Sequence, residues 1–181
     1  MTKKALLVID MQKGSFTAKT PRFNTAAIVE GINSLANTFR ALKHPVIFIQ
    51  HDGTRDHEFL PKTEPWEILD DLHTKADDVF IDKYANDVFY NSELLLTLNA
   101  LEIDELYITG CATDFCVEAT IQSALGKDFN ITVVKDGHTT GERPNLSAKQ
   151  VIDHYNWVWQ NMIATKGQIK VENFNTIHAS L

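Results

Sequence analysis

The chain is poor in cysteine, with two in 181 residues, Cys111 and Cys116. They flank a strand-to-helix turn, a poor place for a structural disulfide. Disulfide-stapled secreted scaffolds are therefore set aside, and the pattern points to a cytoplasmic protein. A basic run is missing and the net charge is −7, so nucleic acid and anionic membrane surfaces are poor partners. No apolar stretch reaches the length of a bilayer span. The opening residues Lys3-Lys4-Ala5-Leu6-Leu7-Val8-Ile9-Asp10 imitate a signal peptide. Their apolar run is too short and an acid ends it, so it reads as a buried strand. With no internal repeat, low-complexity tract or linker, residues 1–181 are read as one domain with a full core.

What is present is an alternation of short apolar runs with helical periodicity. The runs Ala5–Ile9, Val46–Gln50, Val79–Ile81, Leu106–Thr109 and Ile131–Val134 predict five buried strands, and Ile169–Val171 predicts a sixth at an edge. Ile28, Val29, Ile32, Leu35, Ala36, Phe39 and Leu42 fall at helical spacing, as do Leu94, Leu95 and Leu98, and Val117, Ile121, Ala124 and Leu125. Ser147-Ala148-Lys149-Gln150 is a capping box ahead of a wide apolar stripe from Val151 to Met162. The expected fold is α/β: a three-layer α-β-α sandwich around a mainly parallel, Rossmann-like sheet of about six strands. His51 to Lys62 reads as a polar excursion over one end of that sheet.

Ligands bind parallel sheets beyond the carboxyl ends of the strands. The pattern brings three reactive groups to that edge: Asp10 after the first strand, Lys83 after the third and Cys116 after the fourth. Each alone has an ordinary reading, as a turn acid, a solvated lysine and a small core thiol. Together they make chemical sense. Cys116 sits at the start of a helix, where partial positive charge favours thiolate. Asp10 can take the thiol proton and return it to a leaving group. Lys83 holds Asp10 and favours both anions, lowering their pKa values. Backbone N–H groups of Cys116 and the preceding turn can hold an oxyanion.

Ile9-Asp10-Met11-Gln12, Asp82-Lys83, Gly110-Cys111-Ala112-Thr113-Asp114-Phe115-Cys116-Val117 with Thr120, and Val134-Lys135-Asp136-Gly137-His138 occur in that order. These blocks resemble the signatures of the isochorismatase-like cysteine hydrolases. The resemblance implies a catalytic triad of Asp10, Lys83 and Cys116, and a cis peptide before Ala112 that turns its N–H toward substrate. Ala112 and Cys116 are then the oxyanion-hole residues. It implies hydrolysis of a small amide or related C–N bond through a thioester, with no cofactor, a small-molecule substrate and a homo-oligomeric assembly.

Some members of that family, the nicotinamidases, carry a metal after the second strand on an Asp-x-His pair. Here the order is His51-Asp52, with His57 further on. This departure points to the metal-free branch, and no metal is expected. Gln12, Phe16, His51, Trp66, Tyr84 and Phe89 lie on loops near the expected site and are the candidate substrate contacts. The aromatics among them are equally candidates for core anchors. His138 reads as structural. The Trp157-Val158-Trp159 stretch reads either as a subunit contact or as core. Two other functions stay open: isochorismatase-type cleavage of a vinyl ether, and a non-catalytic protein with Cys116 as a redox-responsive thiol.

Overall fold

The computed structural model describes residues 2–181. Six strands form one all-parallel sheet. They are β1 (Lys4–Ile9), β2 (Val46–His51), β3 (Val79–Lys83), β4 (Glu105–Cys111), β5 (Asn130–Thr139) and β6 (Ile169–Glu172). Their order across the sheet is β3-β2-β1-β4-β5-β6. The helices are α1 (Thr25–Ala41), α2 (Leu94–Ala100), α3 (Glu118–Leu125), α4 (Ala148–Gln160) and α5 (Phe174–Ser180).

Successive side chains of a strand point to opposite faces, so each strand feeds two cores. In β1, Leu6 and Val8 pack with Ile28, Ile32, Leu35 and Phe39 of α1 and with Phe174 and Ile177 of α5. Ala5, Leu7 and Ile9 pack on the other face with Leu94 and Leu98 of α2, Ile121 and Ala124 of α3, and Trp159 of α4. This is the expected three-layer sandwich. The capping box of α4 forms as read: Ser147 Oγ accepts from the Gln150 N–H, and Gln150 Oε1 accepts from the Ser147 N–H at 2.9 Å. Trp159 is wholly buried, whereas Trp157 faces outward. Among the described residues no helix is long and apolar enough to cross a membrane.

Chain direction across the sheet reverses between β1 and β4: β2 and β3 follow on one side, β5 and β6 on the other. That is the switch point, where the two outgoing loops part and leave a crevice. Gly110 makes the crevice narrow at its base. Its φ is +119°, and a Cβ there would lie 2.1 Å from the Ile9 carbonyl oxygen. Only glycine lets β4 press this closely on the end of β1. Pairing of β4 with β5 shifts register between Ile108 and Gly110, and then resumes as Gly110–His138 and Cys111–Thr139. β5 therefore runs through the polar block Lys135–His138, past the Val134 end read from its apolar pattern.

Candidate active site

Asp10 is the first residue beyond β1, Lys83 is the last residue of β3, and Cys116 lies in the turn that follows β4. The switch point brings the three together. Lys83 is 1% exposed, so its ammonium must find partners inside the protein. It has three donors and places each: on Asp10 Oδ2 at 2.8 Å, on the Ala85 carbonyl at 2.9 Å and on Cys116 Sγ at 3.3 Å. Burial alone would pull the lysine pKa down, but the Asp10 carboxylate and the hydrogen bonds to Asp10 and Cys116 outweigh it and hold it raised. Asp10 is 6% exposed, and its second oxygen, Oδ1, has no hydrogen-bond partner. A buried carboxylate oxygen left free beside a thiol is a base in waiting.

The Cys116 thiol differs from expectation. Burial pushes its pKa up and the neighbouring Asp10 charge adds to this, against the opposing pull of Lys83. Burial thus favours the thiol form, and Sγ lies 3.6 Å from Asn86 Oδ1, within reach to donate to it. The residue lies not in the first turn of an α-helix but in a π-helical turn, Thr113–Val117, that runs into α3. The Ala112 carbonyl closes this turn by accepting from the N–H groups of Phe115 and Val117 at 3.0 and 3.2 Å. The Cys111–Ala112 peptide is cis. The Ala112 N–H donates to no acceptor among the described residues, and Ala112 lines the same cavity as Cys116. Behind the turn, Thr113 Oγ1 meets His138 Nδ1 at 2.9 Å, and His138 Nε2 meets Asn156 Oδ1 at 3.1 Å. His138 is fully buried and its pKa is pushed down to about 4 by that burial, so it braces the turn as a neutral ring.

The cavity over the triad measures about 240 Å³. Of the candidate substrate contacts, His51 lines it, edge-on to Phe59 at 5.9 Å between centroids. Burial and then the Lys83 charge lower the His51 pKa, so its ring is neutral near pH 7. Gln12 lines the cavity with both amide donors already committed. Its Nε2 donates to the carbonyls of His51 and Trp66 at 3.2 and 2.8 Å, and its Oε1 accepts from the His51 N–H at 2.8 Å. It is a strut between loops.

The remaining aromatics fall outside this cavity. Phe89 is a core residue stacked on Phe129 at 6.0 Å. Tyr84 stands exposed over a separate groove beside β3. Phe16 packs on the α1 side, and Trp66 is half-buried in a short turn, Glu64–Trp66, whose carbonyl also receives Gln50 Nε2 at 3.0 Å. Phe16 and Phe89 pack against the hydrophobic cores and not over the polar triad. The cavity instead recruits Arg22, Phe59, Asn86, Phe115 and Arg143. All five are on loops or turns at the carboxyl edge, which was the one available signal.

No group of three or more His, Cys, Asp and Glu residues among the described residues is arranged to hold a metal ion. Asp52 is turned into its own loop, where Oδ1 accepts from the Thr54 N–H at 2.9 Å.

A parallel α/β sheet with a buried Asp–Lys–Cys cluster under a cavity at its switch point defines an enzyme. The chain belongs to the isochorismatase family of hydrolases: the model of the isochorismatase domain matches residues 4–163. It is 30% identical over 135 residues to the uncharacterized isochorismatase family protein YrdC of Bacillus subtilis, covering 74% of this chain and 72% of that one. A shorter stretch of 77 residues is 35% identical to the ureidoacrylate amidohydrolase RutB of Caulobacter vibrioides, spanning 42% of this chain and 34% of that protein. A solved isochorismatase family protein superposes with a TM-score of 0.86 at 27% identity, over 93% of this chain and 96% of that one.

Proposed function

We propose that the protein is a cysteine hydrolase of a small amide or related C–N bond, acting through a thioester on Cys116. The observation that carries this is the Lys83 ammonium held between Asp10 and Cys116, with Asp10 Oδ1 left free. A sensor thiol needs neither group, and a buried thiol with a raised pKa needs a base before it can attack.

Asp10 Oδ1 takes the Sγ proton, and the sulfur adds to the amide carbon. The developing oxyanion draws on the unpaired Ala112 N–H and the N–H of Cys116. Collapse breaks the C–N bond, and Asp10 returns its proton to the departing nitrogen. Asp10 then removes a proton from water, which adds to the thioester and frees the acid and the thiol. Lys83 stays charged throughout and keeps the carboxylate aimed. The amidohydrolase in the name of the Caulobacter vibrioides relative is in line with this chemistry.

The test is a panel of small amides, carbamoyl compounds and isochorismate, read by release of ammonia or acid. Turnover of at least one amide is expected, with Cys116→Ala and Asp10→Asn each losing at least about 1000-fold in kcat while circular dichroism shows the fold retained. Mass spectrometry of the quenched enzyme should find an acyl adduct on Cys116. Undiminished amide turnover by Cys116→Ala would overturn the mechanism, and cleavage of isochorismate alone would favour vinyl ether hydrolysis.

A further inference from the structure

Arg22 has no role in the mechanism above, yet it lines the cavity. It lies in the loop between β1 and α1, anchored through Nε, which donates to the Ser15 carbonyl at 2.8 Å. Among the described residues no carboxylate forms an ion pair with it. Neither terminal nitrogen, Nη1 or Nη2, donates to a protein acceptor, so four N–H donors are uncommitted.

Arg143, after β5, shares the same wall. Its Nε and Nη2 bind Asp114 at 2.7 and 2.9 Å, which neutralises its charge, and its guanidinium lies 5.0 Å over the Phe115 ring. Its Nη1 is uncommitted. The two Nη1 atoms converge on Gly141: a Cβ there would lie 2.9 Å from that of Arg22 and 3.9 Å from that of Arg143. Glycine leaves room for both guanidinium groups.

The charges around the cavity can be summed. Asp10 cancels Lys83, Asp114 cancels Arg143, the Cys116 thiol is neutral, and His51 is neutral near pH 7. The remainder is the single positive charge of Arg22, in a chain whose net charge is −7. A planar guanidinium with open, paired donors fits a carboxylate in two-point contact. A cavity of about 240 Å³ admits only a compact ligand.

The geometry points to Arg22, with Arg143 Nη1 beside it, as an anion subsite, so that the substrate is a small amide or carbamoyl compound bearing a carboxylate at its far end. This rests on the amide reading of the same site. Arg22 fixes the carboxylate, and the reacting carbonyl is presented to Cys116.

The experiment has two arms. In the first, malonamate, succinamate and glutaramate are compared with propanamide, butanamide and pentanamide, their neutral counterparts. Wild-type kcat/KM is expected to favour the carboxylate-bearing member of the best pair by roughly 100-fold, a preference that collapses in Arg22→Gln and is partly kept in Arg22→Lys. In the second, binding of malonate, succinate and glutarate to Cys116→Ala protein is followed by calorimetry, with and without Arg22→Gln. At least one dicarboxylate should bind, weakly at high salt, and lose about 100-fold in affinity without Arg22. Turnover of amides with no carboxylate preference, or a preference unchanged in Arg22→Gln, would overturn the subsite and leave the hydrolase standing. Arg22-dependent dicarboxylate binding with no amide turned over would keep the anion subsite and remove the amide reading. No dicarboxylate binding in the calorimeter would remove the subsite whatever the amides do.

Discussion

At the scale of single residues, the site depends on a buried pair that loses stability when either charge is left without the other. Lys83 and Asp10 are almost fully enclosed, and each is the other's counter-charge. Lys83→Met removes the cation and strands the carboxylate, which is expected to cost about 3–5 kcal/mol of unfolding free energy. Adding Asp10→Asn to Lys83→Met removes the stranded charge and should recover a large part of that loss. Urea melts of the two variants check this, and a double variant no more stable than Lys83→Met would show that the pair is not the source. A second single-residue prediction concerns Gly110. Its positive φ and the 2.1 Å approach of a built Cβ to the Ile9 carbonyl leave no relaxed position for a side chain. Gly110→Ala should destabilise the fold by at least about 3 kcal/mol, read from the same melts. Asp10, Lys83 and Cys116 were legible because each follows or ends a strand that apolar runs alone could place. The protonation state of Cys116 was not. A helix start argues for thiolate, whereas the depth of burial, which no sequence pattern reports, pushes toward thiol.

At the scale of elements, what could be read followed the strength of the apolar period. α1, with its apolar face repeating over 17 residues, and α4, behind its capping box, stood out. α5 did not: it has seven residues and two buried anchors, Phe174 and Ile177, too few to show a helical repeat. The end of β5 was hidden for a different reason. Lys135, Asp136 and His138 break the apolar run, yet the register shift opposite Gly110 lets the strand continue and pair through Thr139. That extension positions His138 behind the Thr113–Val117 turn. The loops were least legible: Arg22 and Arg143 enter the cavity from polar segments without period, whereas Phe16 and Phe89 left it for apolar packing and Tyr84 for an exposed groove. The α4 cap gives a direct check at this scale. Ser147→Ala loses the bond to the Gln150 N–H and half of the reciprocal box, and should lower stability by about 1 kcal/mol. Hydrogen exchange should quicken in the first turn of α4 and leave β1 and β4 unchanged.

At the scale of the whole molecule, acid should act through buried histidine. His138 joins three parts of the fold: its own strand β5, the turn carrying Cys116 through Thr113, and α4 through Asn156. As a neutral ring it satisfies both neighbours, with Nε2–H donating to Asn156 Oδ1 and Nδ1 accepting from the Thr113 hydroxyl. Protonation converts Nδ1 into a donor and breaks the second bond inside the core. Its pKa is pushed from 6.5 in the unfolded chain down to about 4 in the folded one. Between those values the unfolded state binds the proton that the folded state refuses, so stability rises with pH across the window and is lost as pH falls through it. The loss from this one group reaches about 3 kcal/mol by pH 4, from 1.36 kcal/mol per unit. His51 and His44 shift in the same direction and add to the slope. His138→Gln removes the titrating group and keeps one donor and one acceptor. It should start less stable at pH 7 but fall less steeply between pH 6.5 and 4. Unfolding free energies measured by denaturant at half-unit steps would show the two curves converging. Parallel curves would mean that the acid limb belongs to other groups and that His138 is not the residue tying the Cys116 turn to α4.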